Sequence, residues 1–214
     1  MRNIFIADDH AMVREGLKAI ISNDKDLVVV GEASNGNETL RKIRACSIDV
    51  LLLDVSMPGL GFLDLLKRIT NMDASSKPGK ILVLTAHSED QYAFRALKAG
   101  ADGYLTKEKS PNELLKAIHK LCDGGRYVSQ SFAEDMINMA LDPNTEETAL
   151  HHLLSDREFQ IFSMLGKGTS IKAIAFPLSL NDKTISTYRT RLLKKMGMKS
   201  NADIIRYTIE NNLD

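Results

Sequence analysis

Tryptophan is absent from this 214-residue chain, proline occurs five times and cysteine twice, and aromatic residues supply only 6% of positions. Each shortage excludes something. Cys46 and Cys122 lack metal-ligand spacing and do not form the framework of a disulfide-stapled secreted scaffold, so they read as free thiols in a reducing cytosol. No apolar run approaches the roughly 20 residues that cross a bilayer. The start, MRNIFIADDH, turns acidic after six residues, unlike a secretion signal. A cytoplasmic protein with no membrane partner is expected. Also missing are an internal repeat, a Gly-rich phosphate loop, a catalytic triad and a His/Cys cluster, so steady turnover of a metabolite is not expected.

What remains is an ordinary globular composition, 43% hydrophobic and 26% charged, with 28 basic and 28 acidic side chains. That balance conceals an asymmetry. Residues 1–148 carry 18 Lys and Arg against 22 Asp and Glu, whereas residues 149–214 carry 10 against 6. An acidic front and a basic tail point to two modules with different partners, the tail suited to phosphate.

Five short apolar runs, at 4–7, 27–31, 50–53, 81–84 and 103–105, alternate with amphipathic stretches at 11–22, 36–45, 61–71, 89–99 and 111–122. Continuous apolar character suits strands covered on both faces. The alternation predicts an α/β doubly wound, five-stranded parallel sheet, which binds ligands at the carboxyl ends of its strands. Another helix at about 129–141 precedes DPNTEETA (142–149), which has a linker's composition, and residues 152–212 read as four helices.

The strand ends carry the chemistry. The first run stops at adjacent carboxylates, Asp8 and Asp9, the third at Asp54 and the fourth at Thr85, while Lys107 follows the fifth. A parallel sheet brings these ends to one edge. Crowded carboxylates raise one another's pKa. A hard divalent cation removes the conflict, and Mg²⁺ typically takes one or two carboxylates, water and a phosphate. A nearby hydroxyl and ammonium suit phosphoryl oxygens. The set suggests in-line transfer of a phosphoryl group onto a carboxylate. Read singly, Asp9 is equally a cap for the helix starting near Ala11, Thr85 a strand-end hydroxyl and Lys107 a solvated charge. His10 and His87 lie near this edge without a His or Cys at ligand spacing and are left outside the chemistry.

Taken in order, Asp8-Asp9, Asp54 with MPG shortly after it, Thr85-Ala86, and AGADGYLTK with Tyr104 and Lys107 resemble the receiver domain of two-component response regulators, over residues 1 to about 123. The resemblance implies a flavodoxin-like fold with Asp54 as phospho-acceptor. It implies Mg²⁺ held by Asp9, Asp54 and the main-chain carbonyl of Ser56, with Asp8 acting through bound water. Lys107 would neutralise the phosphoryl group, Thr85 would hydrogen-bond to it, and Tyr104 would switch by moving inward behind Thr85. The donor would be a sensor histidine kinase, and slow self-dephosphorylation the one enzymatic trait. Three departures stand out. Phe62 replaces a loop Gly, in doubt if φ > 0 is required there. The 31 positions from Asp54 to Thr85 include a looped insertion, NMDASSKPG. Glu108 follows Lys107 where many receivers carry a cis-linked proline.

In the basic tail, Ser155 and Glu158 fit a capping box, with Ile161, Phe162 and Leu165 on one face behind it and Gly166 and Gly168 at its end. A short helix at about 170–177 should end near Phe176 because of Pro177. Asn181 or Asp182 can then cap KTISTYRTRLLKKMG, completing a helix-turn-helix. In that last helix Ile185, Tyr188, Leu192 and Met196 share an inward face. Lys183, Thr187, Thr190 and Lys194 lie opposite, flanked by Thr184, Ser186 and Arg191. Residues 183–199 hold six basic side chains and no acid, which suits entry into a DNA major groove. RNA is disfavoured, because Tyr188 is the one aromatic there and it faces inward.

The stretch LSDRE…GKGTSIKAIAFPLSLNDKTISTYRTRLLKKMGMKS resembles the LuxR-type helix-turn-helix, departing from it at Ile171, Ala173 and Pro177. The whole chain thus resembles a regulator of the NarL/FixJ class: a receiver domain (1–123), a connecting helix and linker (124–149), and an all-α four-helix DNA-binding domain (150–214). The class implies double-stranded promoter DNA as partner, a homodimer on DNA, and transcription switched by phosphorylation. Ile204, Ile205 and Ile209 are left either to a dimer seam or to the domain's own core. The alternative is a phosphorylation-independent transcription factor that uses the receiver as a dimerisation scaffold.

Overall fold

Each apolar run becomes a parallel strand: β1 (Arg2–Ala7), β2 (Leu27–Ala33), β3 (Val50–Asp54), β4 (Lys80–Thr85) and β5 (Gly103–Thr106). The five strands lie in the order β2-β1-β3-β4-β5, the flavodoxin-like arrangement whose crevice opens where the strand order reverses, between β1 and β3. This computed structural model describes residues 1–58, 60–74, 76–86, 89–141, 150–178, 180–211 and 213, without the side chains at 89–91, 131, 135, 138–141, 152 and 156. The predicted linker, His87 and a few loop positions therefore lie outside the described residues.

Five helices follow the strands: α1 (Ala11–Ser22), α2 (Gly36–Lys42), α3 (Phe62–Thr70), α4 (Glu89–Lys98) and α5 (Pro111–Cys122). α1 and α5 contact each other, as do α2 with α3 and α3 with α4, which places them on opposite faces of the sheet. On the α1/α5 face, Ile4, Ile6, Leu52 and Leu84 pack with Leu17, Ile21, Ile118 and Leu121. The intervening positions Phe5, Leu51 and Leu53 are equally buried, so each central strand is enclosed on both faces. Each such side chain contributes about 1.5–3 kcal/mol of burial. Asn35 and Ser110 cap α2 and α5 by accepting from the Glu38 and Glu113 amides.

The chain divides into two compact units, Met1–Ala133 and Glu134–Asp214, with the break inside α6 (Gln130–Leu141). In the second unit a 3-10 turn (Leu150–Leu153) precedes α7 (Asp156–Gly166), α8 (Ile171–Ala175), α9 (Asp182–Lys195) and α10 (Asn201–Glu210). The Ser155–Glu158 capping box forms as expected. Phe159, Phe162, Ile185, Leu192 and Ile204 build the core. Gly166 is the last residue of α7, as expected, and α10 comes close there: a Cβ at 166 would lie 2.5 Å from Thr208 Cγ2. α8 stops before Pro177, at Ala175. Within α10 the isoleucines divide, Ile204 fully buried and Ile209 60% exposed.

Candidate functional site

The sheet delivers Asp8, Asp9 and Asp54 to one rim. One ligand atom from each, together with one from His10, lies within 4.8 Å of the others. Register explains the convergence: Ala7 pairs with Leu53, so the next residues of β1 and β3 emerge side by side. Asp8 and Asp54 are 1% and 2% exposed, whereas Asp9 faces partly outward. Asp8 Oδ1 accepts from the His10 amide at 2.8 Å, and Arg14 Nη1 donates to the Asp8 carbonyl at 2.8 Å. Asp54 Oδ2 accepts from the Ser56 amide at 3.2 Å, folding the following loop back over the carboxylate.

Lys107 Nζ enters the cluster, 2.6 Å from Asp8 Oδ2 and 2.8 Å from Asp54 Oδ1. Its amide donates to the Thr85 carbonyl at 2.6 Å, which ties the β5 end to the β4 end. Burial pushes the Asp54 carboxyl above its ordinary value, Lys107 opposes the rise and the Asp8 charge adds to it. Burial disfavours the Lys107 charge as well, but the Asp54 and Asp8 carboxylates outweigh it and hold the amine above its ordinary value. One ammonium thus serves two of three clustered carboxylates, so the acidic groups outnumber the cation among them. Thr85 and Tyr104 are fully buried, and Tyr104 is among the largest enclosed side chains.

Four local readings resolve differently from their sequence alternatives. Asp9 does not cap α1, whose N-cap is His10 without a side-chain cap bond; Asp9 Oδ1 lies 2.9 Å from His10 Nδ1 instead. His10 reaches the cluster as the residue directly following the two acids, a proximity that His and Cys spacing does not reveal. Phe62 occupies no left-handed position: Gly61 has φ −57°, and Phe62 opens α3, is 7% exposed and meets the Tyr92 ring edge-on at 6.3 Å. The Lys107–Glu108 peptide is trans, as is every peptide bond among the described residues.

In the second unit, Ile185 and Leu192 of α9 and the Met196 that caps it face the core, and Tyr188 is half-buried. Lys183, Ser186, Thr187, Thr190, Arg191 and Lys194 are exposed, with Thr184 half-buried. Several of these groups already have local partners. Thr187 and Thr190 donate back to the carbonyls of Lys183 and Ser186, each at 3.0 Å, and Thr184 Oγ1 bonds to the capping Asn181 at 2.9 Å. Two of the basic residues are held by partners within the domain. Lys195 Nζ pairs with Glu158 at 2.6 Å and Arg189 Nε donates to Asn201 at 2.5 Å. Burial would raise the Glu158 carboxyl, but Lys195 and Ser155 hold it below its ordinary value.

Residues 4–119 match the response regulator receiver domain family, and residues 152–208 match the luxR family of bacterial regulatory proteins. The chain is 35% identical over 213 residues to the response regulator UvrY of Escherichia coli K12, covering 100% of this chain and 96% of the relative. It is also 35% identical over 215 residues to the oxygen regulatory protein NreC of Staphylococcus aureus, covering 98% of each. Among solved structures, RcsB of Salmonella enterica serovar Typhimurium, bound to the promoter rprA with phosphomimetic BeF3⁻, shares the fold at a TM-score of 0.72 and 24% identity, covering 96% of this chain and 97% of that one. An RcsB–DNA complex gives a TM-score of 0.58 at 25% identity, covering 96% of each chain. Two family matches in tandem, with relatives aligned along nearly their whole length, make this chain a two-component response regulator of the NarL/FixJ class, with a receiver domain followed by a LuxR-type DNA-binding domain.

Proposed function

We propose that this regulator is switched by transfer of a phosphoryl group from a sensor histidine kinase to Asp54. The observation that carries the reading is the convergence of Asp8, Asp9 and Asp54 around Lys107, with charge left to neutralise. In the step, an Asp54 carboxylate oxygen attacks phosphorus, the phosphorus–nitrogen bond of the kinase's phosphohistidine breaks, and an acyl phosphate forms. Lys107 keeps its proton throughout and moves from pairing two carboxylates to balancing the phosphoryl group, whose charge of about −1.5 to −2 replaces the single negative charge of the Asp54 carboxylate. Thr85, at the end of β4, supplies a hydroxyl to the phosphoryl oxygens. The donor set is all hard oxygen and suits Mg²⁺, which Asp9, Asp54 and the Ser56 carbonyl would hold directly and Asp8 through water, and which neutralises charge when bound.

The output is a population shift. Phosphorylation favours one packing of the face bearing Thr85 and Tyr104, and the reader at 150–214 then binds promoter DNA more tightly as a homodimer. Lys183, Arg191 and Lys194 hold phosphates, while Ser186, Thr187, Thr190 and Thr184 lie toward the groove. Ile209, exposed on α10, is a candidate for the dimer seam. The receiver spans 1–123, and 124–149 connects it to the reader. The protein acts in the cytoplasm. The test treats wild type and Asp54→Asn with phosphoramidate and Mg²⁺, then measures mass and promoter affinity. Wild type should gain one phosphoryl group and bind DNA more tightly, and the variant should do neither. Equal responses would leave the phosphorylation-independent reading.

A further inference from the structure

The outer edge of β5 is partly covered by the segment that follows α5. Tyr104 N donates to Tyr127 O at 2.8 Å, Tyr127 N donates to Asp102 O at 3.1 Å, and Gly103 pairs with Tyr127 in a parallel bridge. The approach requires glycine, since a Cβ at 103 would lie 2.9 Å from Tyr127 O. Beside this bridge is a pocket of about 540 Å³, within the usual range of roughly 300–1,000 Å³ for small-ligand sites.

The lining is amphipathic. Leu105 and the Tyr127 ring offer apolar surface, and Lys109, Lys120 and Arg126 bring three cations. Glu113 also lines it, but its carboxylate accepts from the Tyr127 hydroxyl. Among the described residues, none of the three cations has a carboxylate within ion-pair distance, and Lys120 instead lies over the Tyr127 ring at 5.8 Å. All three are exposed at the concavity, where their charges are open to an anion from solvent. The surrounding half of the chain is acidic, so solubility does not explain the concentration of positive charge.

We infer that this pocket is a second binding site, for a small organic phosphate whose anionic head meets Lys109, Lys120 and Arg126 and whose apolar body lies against Leu105 and Tyr127. It shares no residue with the acidic cluster. The backbone bonds of Tyr127 make it consequential, because a ligand held there braces the β5 edge at Tyr104.

The site is tested on the full-length protein in EDTA, which keeps phosphate from being bridged to the carboxylates by a cation. Backbone amide shifts are followed by NMR during titration with phenyl phosphate and, separately, inorganic phosphate. The proteins are wild type, Lys120→Ala/Arg126→Ala, the control Lys116→Ala on the exposed side of α5, and Asp54→Asn. Wild type, Lys116→Ala and Asp54→Asn should show the same saturable shifts at Gly103, Tyr104 and Tyr127, with phenyl phosphate binding more tightly than inorganic phosphate. Removing two charge-assisted hydrogen bonds should weaken binding by at least about tenfold in the double variant. Unsaturable shifts spread over all lysines, or equal affinity in the double variant and the control, would overturn the site. Equal affinity for the two probes would overturn its organic specificity. Loss of binding in Asp54→Asn alone would move the anion to the acidic cluster and overturn the proposal too, whereas failure of Asp54 phosphorylation would leave it standing.

Discussion

Asp54→Asn changes one buried charge with almost no change of shape, and its effect on stability has a definite sign. Even with Lys107 2.8 Å away, burial and Asp8 leave the Asp54 carboxyl above its ordinary value of 3.8. A carboxyl with a folded pKa above its unfolded value stabilises the fold only while protonated. Its relative contribution is full below the unfolded pKa and lost as pH rises through the folded one. Once ionised, the wild type therefore bears a cost that asparagine does not. Each unit of elevation is worth about 1.4 kcal/mol, and 1 kcal/mol moves the melting point of a unit this size by about 3–5 °C. In EDTA at pH 7 the first unit of the variant should melt higher than that of wild type, and the difference should shrink as pH falls toward 3. Mg²⁺ should oppose this gain, since a cation at a hundred times its Kd adds about 2.7 kcal/mol to wild type and less to a site missing one carboxylate. Scanning calorimetry suits a chain without tryptophan. A variant less stable than wild type in EDTA at pH 7 would refute the burial argument. An equal Mg²⁺-induced shift in both proteins would refute Asp54 as a cation ligand.

Three further outcomes rest on the same geometry. Gly166→Ala should destabilise the second unit by about 1–3 kcal/mol, because the new Cβ meets Thr208 Cγ2; adding Thr208→Ala should recover part of that in a double-mutant cycle. Arg191→Ala and Lys194→Ala should each weaken promoter binding and lower the salt-dependence slope by about 1. Lys195→Ala should instead lower the melting point of the reader, since it strips Glu158 of its cation, and an unchanged melting point would remove that distinction. Glu38 is held at about 2, first by Lys42 and then by the Ser34 amide and hydroxyl. Its contribution is present above the unfolded value of 4.5 and is lost as pH falls to about 2, so Glu38→Gln should flatten the acid limb of a stability–pH curve between those values.

The strands and most helix starts were legible for local reasons. A strand enclosed on both faces must be apolar throughout, so VLLLD declared itself, and Ser155 and Asn181 marked helix starts because the unpaired amides of a first turn need a nearby oxygen. Gly166 and Gly168 marked the end of α7 correctly, but that Gly166 also makes room for Thr208 of α10 was not legible, because glycine serves equally for a turn and for close approach. Lys195 and Arg189 counted among the six basic side chains of 183–199 without a role, because periodicity gives a direction but not the partner arriving from another helix.

The amino-acid order alone determined the βα alternation, the tandem of acidic and basic modules, and the placement of Asp8, Asp9, Asp54, Thr85 and Lys107 at strand ends. These are consequences of hydrophobic period and chain sequence. The tertiary structure decided how charges from separate segments pair: Lys107 with both Asp8 and Asp54, His10 with Asp9, Lys195 with Glu158, and three cations left together beside Tyr127. Electrostatic energy depends on distance through space and on burial, and neither is a function of separation along the chain.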